Sequence, residues 1–243
     1  PWCKGEAVGI ALRKATGSVL VVADADCVVS AGALREAVDL VQSRATPWVV
    51  PHTTVHRLNE RASRAWLARP PLDGMLVTPA EVNLARPAYQ GLAGGGIFVV
   101  RRPEYQAAGG IPRAFQGWGC EDEAIAVILD KVVGPHQRLD GDLIHLWHQP
   151  QAGRCLIDYS RNRTILDRLR RAAEHSREAL LNLLQEIEPR AGTVAQPLTE
   201  EEKAWRLGEN ARLVTSRKTR AGALRQEVKA DTRPVTFRLK ARP

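Results

Sequence analysis

The sequence has no long hydrophobic segment. Its 243 residues contain no run of eighteen apolar residues and no secretory signal, so the sequence predicts no membrane span. Methionine is nearly missing too, because Met75 is the only one and the chain begins with Pro1. We therefore expect the sequence to be a fragment or a processed form of a longer protein.

Cysteine is also scarce, with four residues that stand far apart and form no C-x-x-C pair. This spacing excludes the common zinc sites and argues against a disulfide framework. It predicts reduced thiols in a cytoplasmic protein. The four residues are Cys3, Cys27, Cys120 and Cys155.

The net charge of +8 is concentrated at the C-terminal end of the chain. Residues 212–243 carry ten basic residues against Glu227 and Asp231, whereas residues 1–154 are almost neutral. We expect a solvated, flexible tail over residues 212–243. Its charge would suit nucleic acid, an anionic membrane surface or an acidic protein partner.

The most informative stretch is a short apolar run at residues 19–23 that ends in two carboxylates, Asp24 and Asp26. Such a run predicts a buried strand, and ligand sites in open α/β sheets lie beyond the carboxyl ends of strands. Residues i and i+2 of an extended chain point the same way, so both carboxylates can face one Mg²⁺ or Mn²⁺ ion shared with a phosphate. A turn explains an isolated D-x-D equally well.

Helical and strand patterns alternate in the first part of the chain, which predicts an α/β fold with a parallel sheet. Pro47 and Pro51 lack N–H donors, so the strand between them is expected at a sheet edge. Residues 68–94 contain four prolines and little periodicity, and we expect a long functional loop there. The predicted helices cover residues 6–15, 30–43, 122–132 and 160–188, with others after Pro103 and from Thr199, and the predicted strands cover residues 19–23, 47–51, 97–102 and 143–148.

Two further segments carry residues suited to chemistry. Residues 115–123 combine Trp118, two glycines and three carboxylates at the start of a predicted helix, where capping alone would explain the acidic residues. His145 and His148 stand on opposite faces of a predicted strand. At most one of them should therefore join a given site, unless the strand ends early.

The order of these motifs resembles that of the GT-A-fold glycosyltransferases. The resemblance covers residues 2–150 and is nearest to the β-1,4-galactosyltransferases, the galactosyltransferase domain of polypeptide N-acetylgalactosaminyltransferases and bacterial chondroitin polymerase. The residues that carry it are the D-x-D, the glycines before Arg101 and Arg102, Tyr105 with Gly109 and Gly110, the Gly117-Trp118-Gly119-x-Glu121-Asp122 motif, and a His just before Pro150.

The resemblance implies a GT-A mixed sheet flanked by helices, with a C-terminal helical extension. It implies metal-dependent transfer of a hexose or N-acetylhexosamine, with galactose-type sugars favoured, from a UDP-sugar to a hydroxyl of a saccharide or protein acceptor. It assigns Mn²⁺ or Mg²⁺ to Asp26 and His148, with Asp24 at the ribose or the water shell of the metal. His148 is preferred over His145 because residues 147–149 resemble the family's ligand segment.

In inverting members of the family, the Asp of the W-G-x-E-D motif is the general base. The resemblance therefore implies that Asp122 takes the proton of the acceptor hydroxyl, beside Glu121. Retaining relatives carry Asn at that place, so Asp122 favours inversion. The residues assigned to substrate binding are Trp118, Gly117, Gly119, Asp24, Lys4 and Gly95.

We expect three parts in the chain: a catalytic domain over residues 1–154, a helical extension over 155–211 and the basic tail over 212–243. Only 23 residues precede the D-x-D, whereas the family has a further strand and helix there that hold the nucleotide. We therefore expect weak nucleotide binding by this chain alone, or a need for a partner polypeptide.

Two other functions stay open at this point. An aspartyl-nucleophile phosphatase also begins with a strand and a D-x-D, with Asp24 as its nucleophile, but that function leaves the W-G-x-E-D motif unexplained. The second alternative is a non-enzymatic scaffold whose basic tail binds nucleic acid. Steeply salt-dependent binding that is lost with residues 212–243 would support it.

Overall fold

The computed structural model of the chain describes residues 3–68, 87–149 and 155–188, without the side chains of 155–157. All of them belong to one compact unit, Pro1–Thr193. Its helices are α1 (Lys4–Lys14), α2 (Ala31–Gln42), α3 (Glu60–Leu67), α4 (Arg102–Ala107), α5 (Glu121–Val132), α6 (Cys155–His175) and α7 (Arg177–Ile187). Its strands are β1 (Val19–Ala23), β2 (Cys27–Val28), β3 (Trp48–Val50), β4 (Thr54–Arg57), β5 (Tyr89–Gln90), β6 (Ile97–Arg101), β7 (Gln137–Arg138) and β8 (Asp142–His145).

The first sheet has the strand order β1-β6-β3-β7. Strand β6 lies antiparallel between β1 and β3, and β3 is parallel to β7. The parallel sheet predicted from the alternation of helices and strands is therefore wrong, because β6 runs antiparallel to both of its neighbours, and the mixed sheet that the resemblance implies is confirmed. Mixed sheets flanked by helices fit the GT-A α/β fold that the sequence predicts.

Strand β3 is an interior strand, so the prediction that it lies at an edge is wrong. Its three residues, Trp48–Val50, have no exposed surface. Pro47 and Pro51 flank the strand, and the residues that pair with β6 and β7 all lie between them. The missing N–H groups of the two prolines thus fall outside the ladder, and their presence does not keep the strand at an edge.

The second sheet has the strand order β2-β8-β4-β5 and supplies the neighbours of the D-x-D. Strand β2 follows Asp26 directly and pairs antiparallel with β8, so that Cys27 stands opposite His145. The carbonyl of Asp26 accepts a hydrogen bond from the backbone N–H of Leu146 at 2.8 Å. This pairing fixes the turn of the D-x-D against the end of β8.

The helices α5, α6 and α7 share the main hydrophobic core with the first sheet. Leu166 and Leu169 of α6, Leu180 of α7 and Ile125 of α5 have no exposed surface and belong to the same cluster as Phe98 of β6. The division of the chain at residue 154 stays a prediction, and the structure places α6 and α7 in one compact unit with the sheets.

The single helix predicted over residues 160–188 is in fact two helices. Ser176 has an extended backbone, and its side chain accepts a hydrogen bond from the N–H of Ala179, which begins α7. A serine in this position stops one helix and caps the next. The helix predicted from Thr199 and the basic tail over 212–243 lie outside the described residues, as does most of the long loop predicted over 68–94.

Helix α1 begins unusually close to the backbone of the loop after α4. A Cβ atom at Gly5 would lie 2.3 Å from the carbonyl oxygen of Ile111 and 3.1 Å from that of Pro112. Only glycine allows this approach, and it seats the first turn of α1, including Lys4, against the loop that leads to α5.

Among the described residues, Cys3, Cys27 and Cys120 are buried free thiols, as predicted. The side chain of Cys155 lies outside the described residues. No helix in the described part of the chain has the length and hydropathy needed to cross a bilayer.

Candidate active site

Lys4 links the D-x-D to the W-G-x-E-D motif. Its Nζ lies 2.7 Å from Oδ1 of Asp24, which follows β1, and 2.7 Å from Oδ1 of Asp122 in the first turn of α5. Only 13% of the Lys4 side chain is exposed. Three residues that the resemblance assigned to the site thus meet at one point, although 118 positions separate Lys4 from Asp122.

Burial and the ion pairs act in opposite directions on this group. Burial raises the pKa of Asp122 above its usual range, and the Lys4 ammonium lowers it by a smaller amount. Burial lowers the pKa of Lys4, but the charges of Asp122 and Asp24 together outweigh that effect and raise the pKa. Lys4 is therefore a fixed cation, while Asp122 is a carboxylate with raised affinity for a proton.

Asp122 lies in the first turn of α5, where the helix dipole favours the ionised carboxylate. The loss of water around the carboxylate acts in the opposite direction and raises its pKa. Asp122 still has 26% of its side chain exposed, so the carboxylate can be reached from solvent.

Asp26 faces both histidines of the segment after β8. Its Oδ2 lies 3.4 Å from Nε2 of His148 and 3.8 Å from Nε2 of His145, and the two imidazole rings are 5.4 Å apart. Strand β8 ends at His145, so His148 is no longer held on the opposite face of a strand. The early end of β8 is the condition under which we expected both histidines to reach one site.

Each of the two histidines has its other ring nitrogen near a backbone carbonyl. Nδ1 of His145 is 2.8 Å from the carbonyl oxygen of Leu146, and Nδ1 of His148 is 3.3 Å from that of Gln149. A hydrogen on Nδ1, donated to the carbonyl, leaves the lone pair of Nε2 free to bind a metal ion beside Asp26. His145 is 14% exposed and His148 54% exposed.

Possible metal-ligand atoms of Asp26, Cys27 and His145 lie within 4.8 Å of one another. The Cys27 thiol points to Oδ1 of Asp26 at 3.6 Å. Burial, followed by the charge of Asp26, raises the pKa of this thiol. A neutral thiol binds hard cations poorly, so the donors that suit Mn²⁺ or Mg²⁺ here are the carboxylate and the imidazoles.

The glycine stretch before β6 lies between the two acidic motifs. A Cβ at Gly94 would lie 2.0 Å from the backbone oxygen of Asp122, and one at Gly95 would lie 3.3 Å from its Oδ2. Gly96 has φ +75° and accepts a hydrogen bond from the N–H of Asp24 at 2.8 Å. Gly95, which the resemblance assigned to substrate binding, therefore borders the carboxylate of Asp122.

The loop before α5 has left-handed backbone at Gly117, Gly119 and Cys120, with φ of 75°, 102° and 72°. The resemblance assigned the two glycines to substrate binding, but the residues next to them here belong to α6. A Cβ at Gly117 would lie 2.1 Å from Asp158, and one at Gly119 would lie 2.7 Å from the ring of Tyr159.

Trp118 stands on this loop with 55% of its surface exposed. Its ring stacks on that of Tyr159, with the ring centroids 6.1 Å apart and an angle of 29° between the planes. The pair forms an exposed aromatic surface of the kind on which the apolar face of a sugar can lie.

Glu121 is the first residue of α5, and its Oε2 is buried without a hydrogen-bond partner among the described residues. Burial raises the pKa of this carboxyl, the charge of Asp122 raises it further, and hydrogen bonds from backbone groups of Glu121 itself and Gly119 lower it. Cys120, the N-cap residue, makes no side-chain capping bond.

Sequence reasoning missed Asn162, which lies on α6 with no exposed surface. Its Nδ2 donates to the carbonyl of Gln116 at 3.1 Å and to that of Gly119 at 2.9 Å. A signal was present, because Asn162 shares the spacing of the buried Leu166 and Leu169 on α6. A polar residue on an apolar helix face predicts a buried hydrogen-bonded group.

The family model of the N-terminal domain of galactosyltransferase matches residues 80–149. No curated protein matches the chain. Among solved structures, the crystal structure of GalNAc-T7 with UDP, GalNAc and Mn²⁺ aligns with 74% of this chain, at 17% identity and a TM-score of 0.44. The chain spans 41% of the length of that protein chain.

The matched segment contains the glycine stretch, the W-G-x-E-D loop and both histidines. In the order of its motifs, the chain resembles the GT-A glycosyltransferases of the galactosyltransferase group, as the sequence predicts.

Proposed function

We propose that the chain is a metal-dependent glycosyltransferase that moves a sugar from a UDP-sugar to an acceptor hydroxyl with inversion. The observation that carries this proposal is that a metal-type donor set after β1 and a partly buried carboxylate in the first turn of α5 are joined through Lys4 and Asp24. Asp26 with the two histidines supplies the first, and Asp122, held by Lys4, supplies the second. We favour a galactose-type hexose or N-acetylhexosamine as the transferred sugar.

The residues around Asp26 fit a divalent cation. A carboxylate and two imidazoles whose Nε2 atoms face it form a donor set that suits Mn²⁺, and Mg²⁺ less well. We propose Asp26 and His148 as ligands, with Asp24 near the ribose or the water shell of the ion. A metal bound there would act as a Lewis acid on the diphosphate of the donor.

Asp122 has the properties of a general base. Its raised pKa makes it a better proton acceptor than an ordinary aspartate, while the contact with Lys4 favours the ionised form. In the proposed reaction Asp122 takes the proton of the acceptor hydroxyl. The freed oxygen then forms its bond to the anomeric carbon from one face, and the bond from that carbon to the diphosphate breaks on the other.

The remaining residues of the group would bind substrates. We propose that Trp118 places the apolar face of the acceptor sugar, with Glu121 beside it, and that Lys4 and Gly95 border the reacting groups. Gly117 and Gly119 shape the loop that carries Trp118. The acceptor would be a saccharide or a protein.

A screen of UDP-sugars tests the proposal. We expect hydrolysis or transfer with at least one UDP-hexose or UDP-N-acetylhexosamine, dependent on Mn²⁺ and stopped by EDTA. The same screen on a chain extended at its N-terminus tests the expectation that an additional strand and helix strengthen nucleotide binding. Activity on a chromogenic phosphate ester that depends on Asp24, without any transfer, would support the phosphatase instead.

Replacing Lys4 with methionine is expected to move the acidic limb of the pH–turnover profile to higher pH. The variant keeps the burial that raises the pKa of Asp122 and loses the ammonium that lowers it. Because a general base acts in its ionised form, the variant needs a higher pH to reach the same active fraction. Turnover at saturating donor, measured from mildly acidic to mildly alkaline pH, checks this expectation.

The same variant should change the pH dependence of stability. A carboxyl with a raised pKa contributes stability that is fully present below its unfolded pKa and is lost as pH rises through its folded pKa. This loss should be larger without Lys4, so the difference in Tm from the parent chain should grow with pH. Lys14→Met, at the exposed end of α1, is the matched control. An unmoved acidic limb would contradict the proposed base.

The basic tail over 212–243 stays a prediction. We expect truncation after Val214 to leave turnover on a small acceptor intact, since the charge of the tail is separate in sequence from all of the motifs. A large loss of turnover with the fold preserved would show that the tail takes part in the reaction.

Three buried free thiols support a reducing compartment, and we propose the cytoplasm.

A further inference from the structure

The loop that carries Trp118 has a backbone conformation that contacts from another part of the structure hold in place. Three of its residues have φ in the left-handed region, and one of them, Cys120, is not glycine. At Cys120 this conformation costs free energy, and it persists only where the surroundings impose it. The parts of the structure that impose it here lie on α6.

We propose that Asn162 is a positioning residue that holds this loop in the shape needed for acceptor binding. This proposal rests on the proposed glycosyltransferase function. Both bonds of the Asn162 amide nitrogen go to carbonyls of the loop, one at Gln116 before Trp118 and one at Gly119 after it. The exposed ring of Trp118 is thus fixed from both sides by one buried side chain.

The loop that Asn162 contacts leads directly into the acidic residues at the start of α5. The carbonyl of Gly119 accepts a hydrogen bond from the Asn162 amide, and Gly119 lies two residues before Glu121, the first residue of α5. Movement of Gly119 would therefore reach Trp118 and Glu121 together. Lys4, Asp24 and the histidines make none of these contacts, so the proposed donor side should not depend on Asn162.

The chemistry of the amide explains why asparagine occupies this position. A planar NH₂ group offers two hydrogens at once, and the two carbonyls accept both. A serine at this place has one hydrogen to give, and a leucine of similar size has none. Asp158 and Tyr159, one turn earlier on α6, fill the space beside Gly117 and Gly119 and restrict the loop further.

The experiment compares Asn162→Leu and the milder Asn162→Ser with Leu166→Ala. Leu166 is equally buried and lies one turn further along α6, in the main core. It serves as the control for a general loss of stability. Three quantities are measured for each variant: hydrogen exchange of the amides in residues 116–121, acceptor KM, and the ratio of transfer to UDP-sugar hydrolysis. The Tm of each variant is measured as well, to correct for the folded fraction.

We expect Asn162→Leu to speed exchange in residues 116–121 and to lower the transfer-to-hydrolysis ratio by about tenfold or more, because small displacements of positioning groups are costly to rate. Acceptor KM should rise while donor KM stays the same. Asn162→Ser should lie between Asn162→Leu and the parent chain. Leu166→Ala should lower Tm and leave the exchange pattern of the loop and the transfer ratio unchanged.

Two results would overturn the proposal: unchanged exchange in the loop of Asn162→Leu, or equal effects of Asn162→Leu and Leu166→Ala on the transfer ratio. If the parent chain neither transfers nor hydrolyses any UDP-sugar, the proposed function fails. Hydrogen exchange still decides in that case whether Asn162 holds the loop.

Discussion

Replacing Asp122 with asparagine is expected to lower turnover by about 10²- to 10⁴-fold, with binding of the UDP donor retained. Asparagine has the same shape and can still accept a hydrogen bond from Lys4, but its amide does not take a proton from an acceptor hydroxyl. A purely structural role, in which Asp122 pairs with Lys4 in the first turn of α5, predicts a loss of stability but little change in the turnover of the folded protein. Turnover and UDP affinity, measured on the same preparation, separate the two roles.

Glu123→Gln is the matched control for Asp122→Asn. Glu123 lies in the same turn of α5 and undergoes the same loss of charge, but its partner is Arg170 of α6. We expect turnover near that of the parent chain. The product should have the inverted anomeric configuration, which NMR of the glycoside determines. A retained anomer, or near-normal turnover of Asp122→Asn, would return Asp122 to a structural role.

Replacing Asp26 with alanine is expected to abolish Mn²⁺-dependent binding of UDP. Asp26 is the carboxylate that both histidines face, so its loss removes the charged ligand and leaves only imidazoles. We expect His148→Ala to have the same effect. Titration calorimetry with UDP, in the presence of Mn²⁺ and again after EDTA treatment, measures the metal-dependent part of the affinity.

The two histidines can be told apart by the same titration. His145→Ala should weaken the binding less than His148→Ala, and the reverse order would make His145 the ligand. His56→Ala is a suitable control, because His56 lies on β4 beside β8 and pairs with Asp142 at 2.6 Å, away from Asp26. UDP binding that is unaffected by Asp26→Ala would contradict the metal site as a whole.

The sequence predicted the parts of the site that depend on local order. The apolar run before Asp24 is strand β1, and the carboxylates of the W-G-x-E-D motif begin helix α5. Both features follow from patterns of a few neighbouring residues, and the folded structure contains both. The joint approach of His145 and His148 to Asp26 depended on the length of β8, which alternation of side chains does not reveal.

The parts that could not be predicted depend on contacts between distant segments. Nothing in the sequence near Lys4 indicates that it bridges Asp24 and Asp122. The interior position of β3 depends on β6 and β7, which follow it by about fifty and ninety residues. Two local signals were present: Ser176 can cap a helix, and Asn162 is a polar residue on an apolar helix face. The long periodic pattern of the segment concealed both of them.

The close contact at Gly5 determines where the charge of Lys4 lies, although Gly5 itself has no side chain. Any larger residue at position 5 would push the start of α1 away from the carbonyls of Ile111 and Pro112, and the Lys4 ammonium would move with it. The resulting fault would appear as altered proton affinity at Asp122, although no titratable group had been changed. In a series of variants at position 5, a larger side chain would therefore change the electrostatics of the site even when it carries no charge.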